Sequence, residues 1–242
     1  MTKNRIVVIV PTYNEKDNIA KLINEVNRLG FVLDILIVDD NSPDGTGRVA
    51  ESLKEKNPNL DIMHRKRKEG LGPAYIDAFR YVLNKKQYDY IVNMDSDFSH
   101  SPKEIHKLLE AAKLCDVVVG SRYVKGGGVS DEWNVFRKIL SKFGNFYARF
   151  ITGLKLRDCT SGFRCYKSSV LMSVNLNKKF LNGYGFLIQM LYEASKQGAR
   201  IHEIPIFFDK RLTGASKMDL TIMLEACFSL LALRLKSIFF NQ

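Results

Sequence analysis

IVVIVPTYNEKDNIAKLINEVNRLG, residues 6–30, runs from a branched apolar segment through a proline-led polar stretch into a helical repeat. Ile6–Val10 is apolar without alternation, which suits a strand buried on both faces. Five residues are too few for a signal-peptide core, so this segment reads as a first strand. Ile19, Leu22, Ile23, Val26 and Leu29 then recur at helical spacing, and Gly30 is placed to end that helix. The same unit repeats downstream. Ile35–Val38 predicts a second strand, Val49 and Leu53 a helix, 61–63 a short strand, and Tyr75 to Leu83 another helix. Tyr90–Met94 predicts a strand, Pro102 opens a helix with Ile105, Leu108 and Leu109 on one face, and Val117–Val119 closes the series. This alternation predicts an α/β fold, with a mainly parallel sheet flanked by helices.

In such sheets ligands bind beyond the carboxyl ends of the strands. Three polar clusters fall there: PTYNE (11–15), VDDNSPDGT (38–46) and DSD (95–97). Asn14 and Asp17 read either as helix caps or as part of the rim. Ser42-Pro43-Asp44-Gly45 makes a turn by composition, but a turn does not require both Asp39 and Asp40. A carboxylate at that edge can accept hydrogen bonds from a ribose or a base. Asp95 and Asp97 are harder to explain structurally, because like charges two residues apart gain no stability at the end of a buried strand. In an extended chain both side chains point the same way, so both can reach one hard divalent cation, Mg2+ or Mn2+.

The 242-residue chain is 45% apolar, enough for a sizeable core, and its formal net charge of +11 calls for a polyanionic partner. Nucleic acid fits poorly, since no recognisable binding motif and no strand platform of interleaved basic and aromatic residues is present. An anionic membrane or a phosphorylated substrate remains. The four cysteines form no C-x-x-C pair and the histidines do not cluster, which argues against a zinc site or a disulfide framework. The basic run HRKRK (64–68) reads as an exposed loop.

VIVPTYNEKDNI, IVDDNSPDGT, GLGPAYIDAF, MDSDFSH, GSRY and CTSGFRCY together resemble family 2 glycosyltransferases, and among them the dolichol- or polyprenol-phosphate mannose synthases. The similarity runs in order from about residue 5 to residue 218. It implies a GT-A fold, a GDP-mannose donor, a divalent metal and a polyprenyl (dolichyl) phosphate acceptor. By that resemblance Pro11, Tyr13, Glu15, Val38 and Asp40 hold the nucleotide. Asp95, Ser96 and Asp97 match the D-x-D motif, with Asp95, Asp97 and Ser99 as metal ligands; Ser96 stands where alanine is common. Gly72, in GPAY, marks either a close backbone approach or ordinary loop geometry. Arg122 and Arg137 would hold the acceptor phosphate, because guanidinium offers two parallel donors. Arg211 and Lys217, in the late R-x-x-G-x-S-K segment, would meet the donor diphosphate. A polyprenyl-phosphate glucosyltransferase using UDP-glucose shares nearly all these motifs and is the alternative.

Residues 219–242 are set apart from a catalytic domain of residues 1–218. LTIMLEACFSLLALRLKSIFF (220–240) is apolar yet carries Glu225, Arg234 and Lys236, which favours an amphipathic interfacial helix over a membrane span. A helix packed on the domain or on a partner is the second reading. Phe143, Phe146, Tyr147 and Phe150, among Arg137, Lys138, Lys142 and Arg149, read either as another membrane face or as a core stripe. The expected location is a membrane periphery on the cytoplasmic side, endoplasmic reticulum or prokaryotic plasma membrane, with small membrane-protein subunits as candidate partners. The expected product is a mannose donor for protein glycosylation.

Overall fold

The computed structural model describes residues 4–210, 228–232 and 234. Strands β1 (Ile6–Thr12), β2 (Leu33–Asp39), β3 (Leu60–His64), β4 (Tyr90–Asn93) and β5 (Val117–Ser121) alternate with helices α1 (Lys16–Asn27), α2 (Thr46–Lys54), α3 (Leu71–Asn84) and α4 (Ile105–Ala112). A second half follows: β6 (Gly128–Val129), α5 (Val135–Thr152), β7 (Arg164–Lys167), α6 (Ser168–Ser173), α7 (Gly183–Lys196), β8 (Ile201–Pro205) and β9 (Phe207–Phe208). The main sheet has the order β3-β2-β1-β4-β7-β5-β8, and β6 pairs with β9 in a small separate sheet. Every neighbour in the main sheet is parallel except β7, which runs antiparallel to both β4 and β5. The carboxyl ends of β1, β2 and β4 therefore share one edge.

β1 shows why its sequence does not alternate. Val7 and Ile9 face a core with Tyr75, Phe79 and Leu191, while Ile6, Val8 and Val10 face a second core with Ile19, Leu22 and Ile23. Helices on both sides remove water from both faces, so neither tolerates a polar residue. The helix after β1 starts without a side-chain cap: Glu15 occupies the N-cap position, and Asn14 sits before it at a φ of 59°. Asn14 is thus a turn residue rather than a cap. Asp17 lies in the first helical turn, where its charge meets the positive end of the helix dipole.

Gly72 is required by a close approach, but not to a ligand. A Cβ there would lie 2.7 Å from the Leu181 carbonyl oxygen and 3.2 Å from Phe186 Cβ, so α3 and the start of α7 could not pack as they do.

Val117–Val119 does not close the sheet, as β7 and β8 follow. β7 inserts between β4 and β5 and carries Arg164, which is fully buried. Its guanidinium donates to the carbonyls of Ser161, Cys159 and Leu187 and to the Tyr166 hydroxyl. Four neutral acceptors satisfy the cation without a carboxylate, and this ties the loop before β7 to α7. Arg211, Lys217, the proposed boundary at 218 and most of the 219–242 helix lie outside the described residues. Within that segment Leu230 is buried and Arg234 donates to the Tyr192 hydroxyl at 3.0 Å. Among the described residues, no helix is long and apolar enough to cross a membrane.

Candidate active site

Each of the three rim loops contains a non-glycine residue in the left-handed region: Asn14 after β1, Asn41 after β2 and Phe98 after β4, at φ 59°, 58° and 63°. Asparagine accepts that conformation readily. Phe98 does not, and such strain, about 1–3 kcal/mol, persists where surrounding contacts over-determine the backbone. The first two loops are stitched together by side chains. Ser42 Oγ accepts from the Asn14 amide, Thr46 Oγ1 from the Glu15 amide, and Asp44 from the Lys16 amide. Asp39 accepts from the Ser42 hydroxyl at 2.5 Å, and a Cβ on Gly47 would lie 2.6 Å from its carboxylate. Asp39 therefore braces the turn.

Asp40 is different, since it lines a cavity of about 350 Å3 that spans the rim. Its carboxylate accepts from the Gly70 amide at 3.1 Å and pairs with Arg65. Arg65 is buried and also holds Asp77 at 3.0 Å and Glu69 at 2.6 Å. His64, Lys66, Arg67 and Lys68 of HRKRK are exposed, as expected, but Arg65 is buried and anchors Asp40, and Lys68 sits 3.8 Å above the Tyr13 ring at the cavity wall. Pro11, Tyr13 and Glu15 line the same cavity.

Asp95, Ser96 and Asp97 form its floor. Ser99 donates to Asp97 Oδ1 through its hydroxyl at 2.5 Å and its amide at 3.0 Å, fixing the carboxylate's orientation. Ser99 itself is fully buried and does not line the cavity, so it acts through Asp97. The Asp95 amide donates to His100 Nδ1 at 3.3 Å, while the imidazole lies between the rings of Phe163 and Phe208. Burial lowers the pKa of His100 despite the opposing charges of Asp95 and Asp97, leaving a neutral ring with Nδ1 as acceptor. A Cβ on Gly162 would lie 3.3 Å from Asp95 Oδ1, so a larger residue there would crowd that carboxylate. Among the described residues, no group of three or more His, Cys, Asp or Glu side chains gathers to hold a metal. Two carboxylates do suit a hydrated Mg2+ or Mn2+ that takes its remaining oxygens from water and from a substrate diphosphate. The donor set fits that group only together with a phosphorylated ligand.

Two arginines also line the cavity. Arg122 and Arg137 both lie near Trp133: the Arg137 guanidinium carbon is 3.8 Å from the ring centroid and that of Arg122 6.0 Å. Arg122 is buried and bound by Asp158, Nε to Oδ2 at 2.6 Å and Nη2 to Oδ1 at 2.7 Å, while Nη2 also reaches the Thr160 hydroxyl at 2.7 Å. Burial would raise the Asp158 carboxyl pKa, but the adjacent Arg122 outweighs it and holds the pKa below the ordinary value. Arg122 is raised in turn. Asn134 caps α5 by accepting from the Arg137 amide at 2.7 Å, which sets where the Arg137 side chain leaves the helix. Leu140, Tyr147, Leu187, Ile188 and Leu230 add an apolar part to the lining.

Of the sequence-derived candidates, Pro11, Tyr13, Glu15, Asp40, Asp95, Ser96, Asp97, Arg122 and Arg137 converge on one cavity. The Val38 side chain does not, because it points into the core beside Leu36 and Ile9. Arg211 and Lys217 lie outside the described residues. Lys68, His100, Trp133, Thr160 and Gly162 also line the cavity without having been singled out. His100 and the 159–163 segment stand inside motifs quoted above, but nothing in their spacing distinguishes them from structural residues.

The model of glycosyl transferase family 2 matches residues 7–174. Undecaprenyl-phosphate mannosyltransferase of Micrococcus luteus is 40% identical over 222 residues, covering 92% of this chain and 90% of that protein. Polyprenol monophosphomannose synthase of Mycolicibacterium smegmatis is 41% identical over 226 residues, 93% of this chain and 84% of that one. Among solved structures, mannosyl-3-phosphoglycerate synthase from Rubrobacter xylanophilus superposes with a TM-score of 0.67 at 18% identity, over 97% of this chain and 75% of that one. Glucosyl-3-phosphoglycerate synthase from Mycobacterium tuberculosis, in complex with Mn2+, UDP and glucosyl-3-phosphoglycerate, gives 0.65 at 18%, over 97% and 79%. These two share the fold, a GT-A-like sheet with flanking helices. With a family match over most of its length and relatives near 40% identity, the chain belongs to glycosyl transferase family 2.

Proposed function

We propose that the protein transfers mannose from GDP-mannose to a polyprenyl (dolichyl) phosphate with inversion, giving polyprenyl phosphate mannose and GDP. One observation carries this reading: a single cavity is lined by the Asp95 and Asp97 carboxylates, by Arg122 and Arg137, and by apolar side chains that include Leu140, Leu187 and Leu230. The names of the two 40%-identical relatives support the same acceptor class.

In this reading Tyr13, Glu15 and Asp40 bind the nucleoside, and Arg65 keeps Asp40 in place. Asp95 and Asp97 would hold Mg2+ or Mn2+, which when bound supplies positive charge beside the departing diphosphate. Arg137 and Arg122 hold the acceptor phosphate over Trp133. The second pKa of a phosphate monoester is about 6, so its attacking oxygen is already ionised at neutral pH and no general base is needed. Catalysis then rests on alignment and on charge placed in advance. Leu140, Tyr147, Leu187 and Leu230 receive the first isoprene units. Arg211 and Lys217 would close over the diphosphate.

Approach to the lipid would use α5. Phe136, Ile139, Phe143, Phe146 and Phe150 are exposed on one face of it, so the core-stripe reading fails for the three phenylalanines shared with that stretch. Tyr147 turns into the cavity instead. We read this face as the side that meets the membrane, at its cytoplasmic surface, with the product serving as a mannose donor for protein glycosylation.

The test is incubation with labelled GDP-mannose, a polyprenyl phosphate and Mg2+ or Mn2+, followed by organic extraction. Label in the organic phase is expected. Label that stays aqueous, or transfer only from UDP-glucose, would overturn the reading.

A further inference from the structure

α5 presents four different sides at about 100° per residue. Ser141, Asn145, Ala148 and Thr152 are buried toward the domain. Arg137, Leu140, Gly144 and Tyr147 line the active cavity. The exposed apolar stripe points outward. The fourth side carries Lys138, Lys142 and Arg149, which line a second cavity of about 590 Å3 together with Arg157; it adjoins the first at Arg122, which lines both and is paired with Asp158.

This second cavity holds an uncompensated positive charge. Among the described residues, no Asp or Glu lines it. Lys138, Lys142, Arg149 and Arg157 make no ion pair among the described residues, and Arg149 Nε is buried without a hydrogen-bond partner. The neighbouring carboxylates are already engaged, Asp158 by Arg122 and Glu203 by the amides of Arg157 and Asp158. Four cations gathered around one hollow repel one another, and an anion between them would relieve that repulsion. The adjoining side of the helix bears exposed phenylalanines, so a ligand carrying both an anionic head and a hydrocarbon tail would satisfy both sides at once.

We propose that this cavity binds the phosphate headgroup of an anionic bilayer phospholipid. The bound lipid would hold α5 on the membrane with the active cavity opening along its opposite flank. The proposal extends the reading of a lipid acceptor given above, but concerns a different lipid at a different site.

The experiment measures retention of the full chain on vesicles that contain no polyprenyl phosphate. Phosphatidylcholine alone is compared with phosphatidylcholine plus phosphatidylglycerol. The variant Lys138→Ala/Lys142→Ala/Arg157→Ala removes three cavity cations, and Lys103→Ala/Lys107→Ala/Lys113→Ala removes three exposed cations on the α4 side as a charge-matched control. Wild type should favour the anionic vesicles. The cavity variant should lose roughly tenfold or more of that binding, and the control less than twofold. Equal losses in the two variants would overturn the proposal, because net charge alone would then explain retention. Displacement of wild type from the vesicles by millimolar glycerol 1-phosphate would also overturn it, assigning the cavity to a soluble phosphate. The cavity variant should keep the wild-type melting temperature and wild-type transfer to a short, water-soluble polyprenyl phosphate. Lost transfer with that acceptor would place the cations in the active site and overturn the separate assignment. If the lipid-acceptor reading itself fails, wild type transfers no mannose to any polyprenyl phosphate, a result independent of vesicle retention. A single Lys142→Glu variant, on an exposed side chain, repeats the vesicle comparison with minimal risk to the fold.

Discussion

Arg122 and Asp158 face each other as a buried bidentate pair at 2.6 and 2.7 Å, and the Asp158 carboxylate also accepts the Arg122 amide at 3.0 Å. Asp158 thus fixes both the backbone and the guanidinium of a residue that lines the active cavity. Asp158→Asn leaves Arg122 buried beside a neutral amide and should cost about 3–5 kcal/mol in urea unfolding. The pair also sets a pH dependence. The Asp158 pKa is lower in the folded state than in the unfolded one, so its contribution is complete above about pH 4 and is lost as pH falls below that value. Wild type should lose more stability than Asp158→Asn between pH 4 and pH 3; parallel profiles would contradict this.

Asp97 receives both the Ser99 hydroxyl and the Ser99 amide on one oxygen. Asp97→Asn retains an oxygen to accept them, so the fold should persist by circular dichroism. Transfer should fall by roughly 10²-fold or more if the carboxylate charge is used at the diphosphate. Near wild-type transfer would remove Asp97 from the cation site.

Arg65 is buried with Asp40 and also pairs with the more exposed Glu69 and Asp77. Arg65→Met strands Asp40 without its cation and should cost about 3–5 kcal/mol in stability. In steady-state kinetics the donor KM should rise more than kcat falls if Asp40 binds the nucleoside as proposed. Loss confined to kcat would argue against that placement.

Gly72→Ala puts a methyl group 2.7 Å from the Leu181 carbonyl. Backbone cannot yield as a flexible side chain does, and the expected cost is about 1–3 kcal/mol by thermal unfolding. An unchanged melting temperature would mean that α3 and the 181–186 segment separate more easily than their packing implies.

The first half of the fold was legible because burial on both faces forces continuous apolar strands, and the helices between them bury one stripe each. The rim was legible for the same reason: carboxylates at strand ends have no place in such a core. β7 was not, since a four-residue strand containing a buried arginine carries no apolar signal. Arg164 is satisfied by the nearby Ser161 and Cys159 carbonyls and Tyr166 hydroxyl and by the Leu187 carbonyl 23 residues on, and no spacing rule reveals that. Within HRKRK only Arg65 departs from the exposed reading, for a related reason. A basic run reads as solvated, yet Arg65 finds its carboxylates at positions 40, 69 and 77 only once the strands are assembled. The α5 aromatics left two readings open because a helical repeat gives a stripe its spacing without saying which way it faces.

The four-sided character of α5 makes its register a constraint on change. Inserting a single residue midway along it would rotate everything beyond by about 100°. Phe146 would take the place of Tyr147 in the cavity, Tyr147 that of Ala148 toward the domain, and Arg149 that of Phe150 on the outward face. Exchanges within any one side leave the other three intact. Lengthening or shortening the helix by one would disturb all of them together.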